Sequence, residues 1–393
     1  MKDFLDGNEA VVRGAIDAGC DFFAGYPITP ATQILLGMIR ELPRVGGVAI
    51  QAEDEIASMG FCIGASMTGK RPMTATSGPG MSLYSENIGL AIMGEVPLVI
   101  VNVQRMGPAT GGATTGAEGD VQFMRWITSG GYPLIVLCPR TVAETYTLTM
   151  KSFQLAEKFR TPVILLTEKD LAQTRESVEI SEMKRIEVLA RKSASTQGEF
   201  LPYKFNALSD IPAFSPIGGK YLVRFTTSIH DEKGELTIDP VKIDRKLRHL
   251  ERKIMDAVDD ISIVDADIQE GAETLIISYG VTARSVDEAI ITARQNGKKV
   301  SSLAVLSLWP VPEKEIHRHL AGIRRVVVAE QNLGQYRIEI ERIFHVKNPK
   351  SNDKVRESRD ENSGRNDGEV IGVNKVTGEI ITPQEILERA KLL

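Results

Sequence analysis

Short, almost wholly apolar runs punctuate the first half of the chain, at residues 22–24, 48–50, 72–76, 96–103, 134–137 and 162–166. Runs of this length with no polar face predict strands buried on both sides of a parallel sheet. Between them lie stretches of helical spacing: 7–19, ending on a glycine, 57–69, built of small residues, 82–93, and 141–159. The alternation up to about Lys169 predicts a doubly wound α/β sheet with right-handed crossovers. From about Arg175 to Asp260 the pattern weakens, and Pro202, Pro212, Pro216, Gly218 and Gly219 predict an extended connection. A second α/β unit follows, with strands at 274–280, 300–306 and 326–329 and a helix at 284–296. Trp309-Pro310-Val311-Pro312 reads as a turn, and Glu330-Gln331-Asn332-Leu333-Gly334-Gln335 as a polar loop after the last strand. The expected organisation is therefore two doubly wound domains, 1–175 and 266–393, joined by a linker, 176–265. Residues 347–369 are charged and almost free of apolar side chains. They cannot bury enough surface to offset ordering entropy, which predicts a solvated insertion. Thr382-Pro383-Gln384-Glu385 is a capped start to a closing helix.

Composition narrows the function classes. At 393 residues the chain exceeds one ordinary core, in line with two domains. A net charge of -5 without a basic stripe argues against a nucleic-acid partner. Cys20, Cys62 and Cys138 are widely spaced among apolar residues and form neither a disulfide framework nor a metal or cluster motif. No signal peptide opens the chain and no apolar run reaches the ~18 residues of a membrane span. A reduced, cytoplasmic setting is expected, with no membrane partner.

The candidate chemistry concentrates in residues 51–80. Glu53, Asp54 and Glu55 sit where an apolar strand gives way to a helix, and acidic residues there complement the helix dipole. After that helix, Thr76-Ser77-Gly78-Pro79-Gly80 forms a strand end and a glycine-rich loop, with the next helix expected from Ser82. Open α/β sheets build their ligand sites at such carboxyl edges. Upstream, Tyr26-Pro27-Ile28-Thr29-Pro30 holds Thr29 rigidly, because both prolines restrict the backbone. Thr29 also suits a helix N-cap, with Pro30 at the first helical position and Gln33 near the capping-box position. Arg105 ends the 96–103 run and suits either a structural ion pair or a bound carboxylate. The Gly- and Thr-rich loop that follows, including Thr110, offers backbone donors and hydroxyls. His230, alone in a polar segment, reads as structural or solvated.

These stretches resemble the α subunits of the 2-oxoacid:ferredoxin oxidoreductases. Glu-Asp-Glu-Ile-Ala-Ser followed by Thr-Ala-Thr-Ser-Gly-Pro-Gly, the Gly25–Thr32 segment with Tyr-Pro-Ile-Thr-Pro, and Arg105-Met106-Gly107-Pro108-Ala109-Thr110-Gly111 occur in that order. The resemblance covers most of the chain and implies two doubly wound domains. The first would bind the aminopyrimidine half of thiamine diphosphate, and the second would be transketolase C-terminal-like. It implies Glu55 as the cofactor-activating carboxylate, with Pro27, Ser77 and Gly78 beside the cofactor. It implies Thr29, Arg105 and Thr110 as the substrate side. The expected reaction is coenzyme A-dependent oxidative decarboxylation of a 2-oxoacid to acyl-CoA, with electrons passed to ferredoxin. The 2-oxoacid is expected to be 2-oxoglutarate, with a branched-chain or aromatic 2-oxoacid, or a scaffold subunit with a lapsed site, as alternatives. The loop after Arg105 departs from the commoner family version, so the substrate's distal end stays unassigned. The family's Gly-Asp-Gly motif for Mg2+ and diphosphate is not found, nor is a cysteine cluster motif. A β subunit is therefore expected to complete the cofactor site. Mg2+ and [4Fe-4S] clusters are expected on partner subunits, and γ and ferredoxin-like δ subunits are expected as further partners.

Overall fold

The computed structural model describes residues 2–183, 185–194, 199–345 and 368–393. Most of the expected insertion, 347–367, lies outside the described residues; Glu369 at its end already opens a strand, Glu369–Asn374.

The first domain is built on a seven-stranded sheet. Its order across the sheet is Ser307–Trp309, Ile135–Leu137, Pro162–Glu168, Leu98–Gln104, Pro72–Thr76, Phe22–Gly25 and Val48–Gln51. All pairings are parallel except the one made by Ser307–Trp309. Pro72–Thr76, Leu98–Gln104 and Pro162–Glu168 are buried throughout, as their apolar runs require. After Phe22–Gly25 the chain moves to one side of the sheet, and after Pro72–Thr76 to the other. The strand order thus reverses between these two neighbours. Loops that leave in opposite directions open a crevice at the carboxyl edge there, the place where such sheets bind ligands.

The second sheet has five strands, in the order Glu369–Asn374, Arg325–Glu330, Thr274–Ser278, Ser301–Val305, Val264–Asp267, the last antiparallel. One apolar core runs through both sheets: Tyr84, Ile100 and Ile164 share it with Leu275, Val326 and Tyr336. The expected turn at Trp309 proves to be the end of a strand that pairs with Ile135–Leu137. The second half of the chain therefore supplies the edge of the first sheet, and the Trp309 indole donates to Val121 O at 3.0 Å.

The expected extended connection contains a helix, Pro240–Met255, capped by Asp239, whose carboxylate accepts from Val241 N at 2.9 Å. Its buried face carries Lys246, His249 and Lys253. Lys246 meets Glu95 at 2.6 Å, Lys253 at 3.0 Å and His249 Nε2 at 3.1 Å. Burial alone would raise the Glu95 carboxyl, but the two ammonium groups and the histidine hold it well below the usual carboxylate range.

Glu118 is buried where the two domains meet. It accepts from Thr282 Oγ1 at 2.9 Å and from Gln331 N at 3.1 Å. Burial raises its carboxyl from 4.5 to about 7, with Glu330 adding to the rise and these hydrogen bonds opposing it. The folded state therefore holds a proton that the unfolded state has released between those two values, so this group's contribution to stability falls as pH rises from 4.5 to about 7. Glu118→Gln removes that dependence. Relative to wild type, the variant should gain roughly 3 kcal/mol between about pH 4.5 and pH 7.5, one pKa unit being ~1.4 kcal/mol. Thermal melts across that range would show parallel pH profiles if the carboxyl titrates normally.

Candidate active site

The three carboxylates after Val48–Gln51 separate into three roles. Asp54 is extended and caps the helix Glu55–Met67, its Oδ1 accepting from Ala57 N at 2.7 Å. Glu53 is exposed. Glu55 occupies the first helical position and is only 7% exposed. Its carboxylate makes no hydrogen bond or ion pair with any described residue. Gly80 packs directly on it: a β-carbon there would sit 2.9 Å from Glu55 Cγ and would overlap Thr76 Oγ1. Only glycine leaves Glu55 its place.

The glycine-rich stretch is not a loop. The helix starts at Gly78, not Ser82, and runs to Met93. Pro79 is tolerated in the first turn because the amide it lacks has no intrahelical partner there. Ser77 is extended and fully buried, yet its hydroxyl caps nothing and has no partner. Gly78 faces Asp120: a β-carbon there would lie 3.0 Å from Asp120 Oδ2. Asp120 is held from the strand Leu98–Gln104, by Asn102 Nδ2 to Oδ2 at 2.9 Å and by its own amide donating to Gln104 Oε1 at 2.9 Å. Burial raises the Asp120 carboxyl against the Asn102 hydrogen bond. Two carboxylates thus flank one helical turn, Glu55 at Gly80 and Asp120 at Gly78.

Arg105 ends the same strand and is 7% exposed. Its Nη1 donates to Thr29 O at 2.7 Å, while its Nε is buried without a partner. It forms no ion pair with any described carboxylate, so the structural ion pair open at sequence level is not made. Thr29 is not an N-cap. The helix begins at Thr32 after Ala31, which makes no side-chain cap. The Thr29 carbonyl is instead turned to Arg105, and its side chain is exposed beside exposed Pro27. Beyond Arg105 the chain doubles back tightly: Gly112 N donates to Met106 O at 2.8 Å and Met106 N to Thr115 O at 2.9 Å. Thr110 is exposed at the tip of this loop and is not hydrogen-bonded to Arg105 or Thr29.

Glu55, Thr29, Ser77 and Arg105 therefore follow the carboxyl ends of four adjacent strands around the reversal point. Asp120 escaped the sequence reading. Its signal was present as Asn102 and Gln104, two polar residues on one face of an otherwise apolar strand. His230 is structural: it is 1% exposed, packs against Tyr203 with ring centroids 4.1 Å apart and planes tilted by 52°, and its Nδ1 lies 2.9 Å from Ser228 O. A cavity of about 340 Å³ beside it is lined by Lys242, Arg245 and Lys246, but each is already paired, with Asp231, Glu232 and Glu95.

At its reversal point the parallel sheet carries a buried acid with no hydrogen-bond or ion-pair partner among the described residues, and a buried arginine whose one hydrogen bond goes to a backbone carbonyl, which marks a ligand-binding α/β domain. Family models agree. Residues 13–249 match the pyruvate flavodoxin/ferredoxin oxidoreductase thiamine diphosphate-binding domain, and 272–376 match pyruvate:ferredoxin oxidoreductase core domain II. The chain belongs to the family of 2-oxoacid:ferredoxin oxidoreductase alpha subunits. It is 40% identical over 390 residues to the 2-oxoglutarate synthase subunit KorA of Methanocaldococcus jannaschii, covering 99% of both chains. It is 34% identical to the ketoisovalerate oxidoreductase subunit VorB of Methanothermobacter marburgensis, covering 86% of this chain and 88% of the other. Among solved structures, a 2-oxoglutarate:ferredoxin oxidoreductase from Magnetococcus marinus, with 2-oxoglutarate, coenzyme A and succinyl-CoA bound, superimposes with a TM-score of 0.86 at 31% identity. The match covers 99% of this chain, which spans 65% of that one. A split-gene transketolase shares the fold at TM-score 0.52 and 13% identity. Among the described residues no helix is long and apolar enough to cross a membrane.

Proposed function

We propose that this chain is the alpha subunit of a 2-oxoglutarate:ferredoxin oxidoreductase that, with a β subunit, converts 2-oxoglutarate and coenzyme A to succinyl-CoA and CO2. The two electrons released pass through partner-borne [4Fe-4S] clusters to ferredoxin. The carrying observation is the pair of buried, unpaired charged side chains, Glu55 and Arg105, at the reversal-point crevice. Glu55 makes no hydrogen bond or ion pair with any described residue, and Arg105 gives one hydrogen bond to a backbone carbonyl and leaves Nε unsatisfied, so both keep hydrogen-bonding capacity for a ligand.

Thiamine diphosphate fits the residues present. Glu55 has free acceptor capacity for a protonated ring nitrogen, the Ser77 hydroxyl is buried and unsatisfied, and glycines at 78 and 80 keep the wall flat. Pro27 contributes to the neighbouring strand end. When bound, the cofactor supplies the carbon nucleophile that makes decarboxylation of a 2-oxoacid possible. Glu55 holds and returns a proton at the aminopyrimidine nitrogen, within a site that excludes most water. Arg105 offers its unsatisfied guanidinium edge to the substrate's 1-carboxylate, with Thr29 and Thr110 on the same side. Mg2+ and the diphosphate fall to the β subunit, and γ and ferredoxin-like δ subunits complete a cytoplasmic complex.

The substrate choice rests on the full-length similarity to 2-oxoglutarate synthase subunits, which exceeds that to the ketoisovalerate subunit. The test is coenzyme A-dependent ferredoxin reduction by the assembled complex, with 2-oxoglutarate and 2-oxoisovalerate compared at equal concentration. A higher kcat/KM for the branched substrate would reverse the assignment, and no turnover of any 2-oxoacid would leave a scaffold subunit.

A further inference from the structure

The polar loop after Arg325–Glu330 belongs to the second domain, yet Asn332 and Gln335 both reach from it to the first. Gln335 Nε2 donates to Gly119 O at 2.6 Å, and its Oε1 accepts from Gln122 N at 2.9 Å. Gln122 answers with Nε2 to Gln335 O at 2.9 Å. Asn332 Nδ2 donates to Glu118 O at 2.8 Å, while its Oδ1 accepts from Gly334 N and Gln335 N and so shapes the turn itself. Gln331 N meets the Glu118 carboxylate at 3.1 Å, and Gln331 Nε2 reaches on to Glu379 O at 2.9 Å. Beside Glu379, Gly378 closes on the side chains of Thr115 and Met106, leaving no room for a β-carbon.

Residues 118–122 are thus gripped from the second domain on both sides of Asp120. Asp120 itself is held only from the first domain, by Asn102 and Gln104, and lies against Gly78. The loop that starts at Arg105 must end at this grip.

We infer that the turn at 331–335 is a positioning element for the active-site edge: it fixes residues 118–122, sets Asp120 against Gly78, and closes the loop that carries Thr110. Gln335 and Asn332 are positioning residues, not catalytic ones. The inference rests on the reading of this edge as the 2-oxoacid site, but the grip itself can be measured without turnover.

Gln335→Met keeps the bulk and removes both side-chain hydrogen bonds; Gln122→Met leaves those two in place and removes the bond returned from the first domain, Nε2 to Gln335 O. In the assembled enzyme, amide exchange of residues 106–120 should accelerate at least about tenfold in either variant, since local opening then breaks fewer bonds. The KM for the 2-oxoacid should rise roughly five- to thirtyfold with kcat within about threefold, because the groups that do chemistry are intact. Unchanged exchange in both variants, or faster exchange with unchanged KM, overturns the inference. A wild-type complex that turns over no 2-oxoacid would end the functional reading instead, while accelerated exchange in the variants would still establish the grip.

Discussion

Glu55→Gln in the assembled enzyme should lower turnover by roughly 10²–10⁴, the usual scale for a lost acid–base group. Cofactor occupancy should change far less, because glutamine keeps the shape and most other contacts survive. The expectation is specific to one of three neighbouring carboxylates. Asp54 is committed to the helix cap through Ala57 N, and Asp54→Asn retains a capping oxygen. Glu53 is exposed and contributes only to the helix-dipole environment. Glu53→Gln and Asp54→Asn should therefore stay within about tenfold of wild type. A further consequence separates function from folding. Glu55 is buried and has no hydrogen-bond or ion-pair partner among the described residues. Replacing it by glutamine should leave the melting temperature of the isolated chain unchanged, since its carboxylate makes no hydrogen bond or ion pair with any described residue. Exchange of the cofactor's thiazolium proton, followed by NMR after acid quench, reads the affected step. Normal exchange in Glu55→Gln, or a large defect confined to Glu53→Gln, would move the acid–base role elsewhere.

What could be read from the chain alone divides along physical lines. The buried strands Pro72–Thr76, Leu98–Gln104 and Pro162–Glu168 announced themselves as apolar runs, and the alternation of such runs with helices was enough for a doubly wound sheet. The helix Pro240–Met255 was missed for a definite reason. Its buried face mixes Leu250 and Ile254 with Lys246, His249 and Lys253, which gather around one buried glutamate. Hydrophobic periodicity registers only the apolar part of such a face. Ser307–Trp309 was missed because it is three residues long and pairs across the domain boundary with Ile135–Leu137, an adjacency no local pattern encodes. The site shows the same split. Motif order placed Glu55, Ser77, Thr29 and Arg105 on neighbouring strand ends. Their roles in capping came out differently, because Asp54 took the cap of one helix and Arg105 took the Thr29 carbonyl from the other. The residues flanking Asp120 depend on contacts with the second domain, more than 200 residues apart in sequence for Gln122 and Gln335, beyond the reach of any window.

Arg105→Met should raise the KM for the 2-oxoacid by about 1.5–3 kcal/mol, or roughly ten- to 150-fold, the loss expected for a charge-assisted hydrogen bond to a carboxylate. Methionine keeps the apolar stem, so the packing around the strand end is retained. The structure adds a second expectation that makes the test discriminating. A buried arginine in a structural ion pair cannot be removed without stranding its partner, which typically costs 3–5 kcal/mol. Arg105 has no such partner among the described residues: it gives one hydrogen bond to the Thr29 carbonyl and leaves Nε unsatisfied. Its removal should therefore cost little folding stability while damaging substrate binding, the reverse of the pattern for Glu95 and its lysines. Arg105→Lys keeps the charge but cannot form the paired guanidinium contact, and should fall between wild type and Arg105→Met. Added substrate should also protect wild type against thermal unfolding more than it protects Arg105→Met, by RT times the logarithm of their affinity ratio at saturating substrate. A melting temperature lowered by several degrees with KM unchanged would assign the guanidinium to holding Thr29 and its loop, and the substrate carboxylate would then need another cation.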